Sequence, residues 1–359
     1  MRAAIMTVTN SPLSVETVTP LDVGPTDVAV RIAASGLCHS DLLFLDGQGP
    51  TPPPMILGHE GAGVVEEVGR DVQSVKPGDT VICSWIPSCG HCWYCTRGQS
   101  RLCSELGWLY GEQKYSRSDG STAARMLGVG SFAESAVLHE RSVVRVETDV
   151  PPEQLALIGC GVTTGVGAAI NTAAVIPGST VAVVGCGGVG QSVVQGARIA
   201  GAARIVAIDP VELKRSTAVK LGATDGVDPT AEDPVEQVRA LTGGRGADYV
   251  FEVTGRAEVL GTAFSLARPG GAVVLVGVQH PEAAIPWKPL VQLLQEKRVL
   301  ASWYGSSEVR RDFPRLLNLV ETGRLDLDSM VSRRITLDQV NEGLEAIERG
   351  EVIRSVIVN

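Results

Sequence analysis

TVAVVGCGGVGQ, residues 180–191, sets a run of small and β-branched side chains directly against Gly185, Gly187, Gly188 and Gly190. The run is nearly all apolar, as a parallel strand covered by helices on both faces must be. In a G-x-G-x-x-G placed between strand and helix, the first glycine turns the chain tightly. The second lets a pyrophosphate approach the backbone, and the third lets helix and strand pack closely. Gly188 and Val189 complete the loop, and free N–H groups at the helix start can hold the phosphate. Asp209 ends the next apolar run, Arg204 to Ile208. A carboxylate there accepts hydrogen bonds from ribose hydroxyls and repels a 2′-phosphate, which favours NAD over NADP. The competing reading is a glycine-rich turn in an ordinary α/β domain, with Asp209 capping a helix.

Outward from this loop the rhythm of strand, turn and helix continues. Strands are predicted over 180–184, 204–208, near 226–227, and over 249–253, 272–276 and 299–302, with a crossover helix over 191–200. Their order fits a doubly wound, Rossmann-type parallel sheet. Residues 1 to about 150 read instead as short strands with turn punctuation, at 27–32, 61–68 and 80–83, the last after the turn Lys76-Pro-Gly-Asp79. That pattern suggests a β-rich body with a partly open barrel. Mixed helix and strand return after Trp303, over 313–322 and 353–358. The predicted division is an α/β protein of two domains. A discontinuous domain, 1–160 with 303–359, encloses a nucleotide-binding domain, 161–302.

With 359 residues, two domains can each bury a core. A net charge of −9 argues against a nucleic-acid backbone or an anionic membrane as partner. The N-terminal MRAAIMTVTNSP is too briefly apolar for a secretory signal. The uncharged stretch 155–170 reads as a buried helix. Eight cysteines without a signal point to thiolate chemistry in a reducing compartment, and hence to the cytoplasm.

Four of those cysteines, Cys89, Cys92, Cys95 and Cys103, form C-x2-C-x2-C-x7-C. Such spacing lets one short lobe wrap a tetrahedral zinc ion and close every coordination position, a structural role. An iron–sulfur cluster or disulfides would use similar spacing. His91, inside the lobe, reads as a solvated side chain. Cys38, His59 and Cys160 lie far apart in sequence, each in a glycine-flanked setting: GLCHSD at 36–41, GHEG at 58–61 and GCG at 159–161. Two thiolates and an imidazole would leave zinc an open fourth position, as catalysis needs. Spacing alone does not establish this, because a lone cysteine is more often a small hydrophobe.

Taken together, these segments resemble the zinc-dependent medium-chain alcohol dehydrogenases over essentially the whole chain. The likeness extends to the actinobacterial-type branch that includes mycothiol-dependent formaldehyde dehydrogenase, through EQK at 112–114, LGVGSF at 127–132, GVGAAIN at 165–171 and SWYG at 302–305. The resemblance implies a GroES-like fold for the β-rich domain, two zinc ions per chain, and NAD. Catalytic zinc would sit on Cys38, His59 and Cys160, with Glu60 a nearby carboxylate able to approach it. Asp41 would orient His59. Ser40 would hydrogen-bond the substrate oxygen and begin the proton path. His39 and Arg354 occupy positions resembling pyrophosphate contacts, Lys214 a further nucleotide contact, and Thr164 and Val278 nicotinamide contacts. Trp85 matches a wall of the substrate pocket. One departure stands out: where liver-type members carry a relay histidine, this chain has Leu43.

The implied reaction is reversible hydride transfer between a primary alcohol or aldehyde and NAD. S-(hydroxymethyl)mycothiol is the alternative substrate, and a tightly held NAD with an external electron acceptor is a further variant. A non-catalytic zinc- and NAD-binding redox sensor is the alternative of another class. Pocket shape is expected to depend on Trp85, residues 109–115 and Met126. The segment 103–126 reads as a long loop of the kind found in dimeric members. A homodimer is expected, pairing the sheet edge near 272–276 and 299–302. Cys83 and Cys186 read as core or loop fillers, and His139 and His280 as surface or turn residues.

Overall fold

The computed structural model describes residues 1–280, 282–284 and 288–359. These form two compact units, Met1–Cys160 with Glu308–Asn359, and Gly161–Ser307.

The second unit holds six parallel strands: β1 (Thr180–Val184), β2 (Arg204–Ile208), β3 (Asp225–Val227), β4 (Ala247–Glu252), β5 (Ala267–Leu275) and β6 (Arg298–Ala301). Their order is β3-β2-β1-β4-β5-β6, a doubly wound Rossmann sheet. Alternation along β1, β2, β4 and β5 fills two cores. Val181, Val183, Ile205, Ala207 and Phe251 face one; Ala182, Val184, Val206, Ile208 and Val250 face the other. Covering both faces is why these strands read as unbroken apolar runs rather than as alternating ones. The segment Trp303–Ser307, expected with the β-rich domain, lies in this unit. Its anchors explain that: Ser302 and Ser306 hydrogen-bond Thr172, and the Gly305 carbonyl accepts from Asn171.

The first unit is β-rich, but not one partly open barrel. Strands Arg2–Met6, Ser14–Pro20, Gln113–Arg117, Thr122–Arg125 and Met55–Ile56 close a small barrel. Beside it lies a seven-stranded sheet. There the C-terminal strand Arg354–Val358 pairs with Asp27–Gly36, which pairs in turn with Glu60–Val68. The long loop expected over 103–126 is thus corrected, because two of its segments are barrel strands. Tyr115 and Met126, expected near the pocket, are fully buried in apolar clusters of this unit.

Residues Pro152–Thr172 form one long helix, 78% of its most apolar window buried, as the buried-helix reading requires. It changes pitch along its length, with π turns at Ile158–Val162 and Ala168–Thr172.

Candidate metal centres and nucleotide cradle

Cys38 lies two residues past the end of strand Asp27–Gly36 and caps the short helix His39–Leu45. Asp41, in that helix's first turn, accepts the Cys38 N–H at 2.7 Å through Oδ2. Its other oxygen lies 3.3 Å from His59 Nδ1. One buried carboxylate therefore fixes both the backbone of Cys38 and the ring of His59. His59 immediately precedes strand Glu60–Val68. Cys160 sits in the π turn of the long helix, where the altered pitch re-aims a side chain. Fold, not spacing, unites the three.

The ligand atoms of Cys38, His59, Glu60 and Cys160 lie within 4.8 Å of one another, and all four residues are buried. His59 Nε2 is buried and makes no hydrogen bond among the described residues. A buried nitrogen left so is costly unless something binds it. Two sulfurs and this nitrogen are a donor set suited to zinc, so the residues fit a catalytic metal. Electrostatics agree. The Cys38 thiol is held well below its ordinary range by the Cys160 sulfur, against the effect of burial, with help from His59 and Arg354. Burial works against charge on His59, but the Asp41 carboxylate and the Cys38 sulfur outweigh it and push the imidazole up to about 10. Burial likewise raises the Asp41 carboxyl.

Glu60 pairs with Arg354, brought beside it by the C-terminal strand. That pair lies over Gly36, where any Cβ would collide with the Glu60 carboxylate. Arg354 is buried, and its Nε makes no hydrogen bond among the described residues. Ser40 Oγ lies 3.7 Å from Cys38 Sγ. The Trp85 ring stands edge-on to His59, centroids 6.4 Å apart. Two residues without any sequence motif support that wall. Tyr110 donates its hydroxyl to the Trp85 carbonyl at 3.1 Å, and Thr51 donates to the Tyr110 carbonyl at 3.1 Å. Leu43 occupies the same short helix as His39 and Ser40, and His39 is exposed.

The second cluster is local. The sulfurs of Cys89, Cys92, Cys95 and Cys103 also lie within 4.8 Å of one another. Backbone N–H groups of Cys95 and Ser104 pull the Cys92 thiol down to about 6. Burial, and then the neighbouring sulfurs, push Cys95 up to about 12. His91 turns its Nδ1 to the Cys89 carbonyl, outside the sulfur set. Cys83 and Cys186 are buried elsewhere, and burial raises both thiols, Cys83 to about 12.

In the Rossmann unit, Gly185 has φ +90, a conformation that side chains other than glycine rarely adopt. A Cβ on Gly190 would strike the Gly185 carbonyl, whereas one on Gly187 would meet nothing within 4 Å. Open space at Gly187, beside the helix start Gly188–Ile199 that no side chain caps, is what a pyrophosphate needs. Asp209 ends β2 but is largely committed. Its Oδ2 accepts from Cys186 N at 2.8 Å and its Oδ1 from Val211 N at 2.9 Å. Only its remaining lone pairs are free for a ribose. Gln191 ties this loop to the next helix, donating to the Cys186 and Lys214 carbonyls at 2.8 Å each. Thr164 lies on the helical turn Thr163–Gly167, and Val278 is exposed after β5.

Residues 24–148 match the alcohol dehydrogenase GroES-like domain, and residues 188–322 match the zinc-binding dehydrogenase domain. The chain belongs to the zinc-dependent alcohol dehydrogenase family. It is 40% identical to a putative alcohol dehydrogenase D of Mycobacterium tuberculosis, over 94% of this chain and 93% of that one. It is 36% identical to the S-(hydroxymethyl)glutathione dehydrogenase of Paracoccus denitrificans, over 99% of each. A solved alcohol dehydrogenase zinc-binding domain protein from Burkholderia ambifaria superposes with a TM-score of 0.94 at 33% identity, covering 99% of this chain and 98% of that one. The alcohol dehydrogenase described here is accordingly an oxidoreductase that works with zinc and a nicotinamide cofactor.

Proposed function

We propose that this alcohol dehydrogenase reversibly oxidises primary alcohols to aldehydes with NAD, using a catalytic zinc on Cys38, His59 and Cys160. A second, structural zinc would close the lobe of Cys89, Cys92, Cys95 and Cys103. What carries the reading is the convergence of three side chains spread from residue 38 to residue 160, with a buried His59 Nε2 that makes no hydrogen bond among the described residues.

When bound, zinc supplies Lewis acidity that lowers the pKa of an alcohol, and NAD supplies the hydride acceptor. The protein's own groups do the rest. Cys38 and Cys160 offset the metal's charge, and three protein donors leave one position for substrate. Asp41 holds the His59 ring so that Nε2 faces the sulfurs. The Ser40 hydroxyl takes the alcohol proton and hands it on, because Leu43 has no group to receive it. Trp85 walls the pocket. Gly187 and the helix start hold the pyrophosphate, Lys214 and Asp209 the adenosine side, and Thr164 and Val278 the nicotinamide. His39 and Arg354 are the further phosphate contacts that the family resemblance implies.

NAD is favoured over NADP because Asp209 stands at the end of β2 and Arg215, which bonds its carbonyl, is already committed. It bonds the Asp209 carbonyl, Glu212 and Asp228, so a 2′-phosphate would meet the Asp209 carboxylate beside a guanidinium already paired. A homodimer is favoured by the exposed Leu290, Leu293 and Leu294 on the helix Pro289–Gln295 that precedes the edge strand β6. Eight free cysteines suit a reducing compartment, the cytoplasm. Likeness to a dehydrogenase of a hydroxymethyl thiol adduct keeps S-(hydroxymethyl)mycothiol as the second substrate. The test is metal analysis together with a panel of alcohols and aldehydes, assayed with NAD and NADP, with and without mycothiol. Two zinc ions per chain and NAD-linked turnover of free alcohols are expected. One zinc per chain, or turnover only of the thiol adduct, would replace the primary reading.

A further inference from the structure

Glu252 is the last residue of β4, and its carboxylate is fully buried. It makes no salt bridge among the described residues, yet donors converge on it from two segments. Oε1 accepts from Thr254 N at 2.7 Å, from Gly255 N at 3.1 Å and from the Thr254 hydroxyl. Oε2 accepts from Gln279 Nε2 at 2.8 Å. The main-chain carbonyl of Glu252 also accepts from Val276 N at 2.9 Å and Gly277 N at 3.0 Å. One residue thus ties the turn after β4 to the segment after β5. The two are in backbone contact, since a Cβ on Gly255 would collide with the Val278 carbonyl and one on Gly277 with Gly255 N. On the other side, Thr254 abuts the first glycine of the phosphate loop, whose Cβ would stand 2.7 Å from Thr254 Cγ2.

The location gives this staple its meaning. Strand order reverses between β1 and β4, and a dinucleotide crosses a doubly wound sheet at that point, beyond the carboxyl ends of the strands. The glycine loop and Asp209 take the pyrophosphate and adenosine on the β1–β2 side. The nicotinamide half is left to the ends of β4 and β5. A carboxylate suits the position because it accepts on both oxygens, whereas an amide would turn a donor toward one of the two segments.

We propose that Glu252 and Gln279 are positioning residues for hydride transfer, a carboxylate–amide pair that holds segment 277–279, with Val278 at its tip, against the nicotinamide. The proposal rests on the dehydrogenase reading above, but its test does not need turnover. NADH and ADP-ribose, which lacks the nicotinamide, are titrated into zinc-loaded protein, with thermal melting as the check on folding. Gln279→Glu sets two carboxylates face to face and is expected to weaken NADH about tenfold while leaving ADP-ribose within about twofold. Gln279→Ala, which only removes the clamp, is expected to weaken NADH about threefold with the same selectivity. The exchange variant Glu252→Gln/Gln279→Glu restores one carboxylate and one amide, and NADH affinity is expected to return to within about threefold of the parent.

Unchanged NADH affinity in both single variants would overturn the proposal. So would equal losses for NADH and ADP-ribose, failure of the exchange to rescue, or a parent that binds no NADH. A parent that binds NADH with this pattern but oxidises no alcohol would sink the dehydrogenase reading and leave the staple standing.

Discussion

The two sulfur-rich clusters use nearly the same chemistry and differ in what assembles them. Cys89, Cys92, Cys95 and Cys103 lie on one short lobe, so the chain delivers its four sulfurs locally. Cys38, His59 and Cys160 arrive from the end of a strand, the start of another strand and a π turn in a helix. A four-sulfur set closes a metal's coordination shell, whereas two sulfurs and an imidazole leave it open. The local cluster should therefore carry stability and the dispersed one chemistry.

The sharpest way to break that contrast is to remove one donor from each. His59→Ala is expected to lose the catalytic zinc and lower kcat by at least about 1,000-fold, several kcal/mol of charge stabilisation, with little change in melting temperature. Cys103→Ala is expected to do the reverse. It should lower Tm by on the order of 10 °C, because a structural metal contributes folding free energy directly, while the folded fraction keeps its catalytic zinc and turns over. Metal content per chain, melting curves and kcat on the same samples decide it. A large Tm loss in His59→Ala together with near-normal stability in Cys103→Ala would invert the assignment.

The same contrast explains what was legible in the sequence. The lobe and the glycine loop are local patterns, and both read directly. The inner Rossmann strands β1, β2, β4 and β5 read because two-sided burial leaves apolar runs, whereas the edge strands β3 and β6 are short and partly exposed. The dispersed donors stood out by their glycine-flanked settings, but only family likeness assigned them to one metal, since nothing in their spacing brings them together. Segment 103–126 misread for a physical reason. Its strand Thr122–Arg125 ends in Arg125, a charged side chain that is fully buried. Arg125 is paired with Glu112 at 2.6 Å and bonded to the Val137 carbonyl. A paired ion inside a barrel carries no hydrophobic signature, and Gln113–Arg117 on the partner strand is mostly polar. Tyr110 falls within the segment 109–115 expected to shape the pocket, but its bond to the Trp85 carbonyl and its own support from Thr51 run through backbone carbonyls, which no side-chain motif records.

A smaller effect sharpens the role of Asp41, which serves both Cys38 and His59. In metal-free protein the His59 imidazole keeps its proton up to about pH 10, with burial opposing that charge and Asp41 the chief group favouring it. Zinc must displace this proton. Affinity should therefore rise at least about tenfold per pH unit across the neutral range, and the imidazole's share should flatten only above its pKa. Asp41→Asn removes the supporting charge and lowers that pKa, so flattening should begin at lower pH. The loss of ring orientation should also cost about 10- to 100-fold in affinity. Competition between protein and chelator from pH 6 to pH 9 measures both. Parallel curves for the two proteins would show that Asp41 does not govern the imidazole.

The smallest expected effect tests the proton path. Ser40 lies beside the Cys38 sulfur, and Leu43, one helical turn further on, offers no proton acceptor. A path ending at Ser40 must pass its proton directly to ribose hydroxyls or water, so no protein group with a pKa near neutrality should mark the alkaline limb of kcat. Leu43→His adds such a group, ordinarily titrating near 6.5. Below that pH the imidazolium cannot accept the proton, and above it the relay opens. The variant should therefore acquire a new inflection near neutrality in kcat against pH, with a gain of no more than about tenfold above it. The metal content should stay unchanged, since Leu43 is not among the donors of either cluster. A pH profile superimposable on the parent's would mean that proton release is not limited by the step after Ser40, and the path would then have to leave the site by another group.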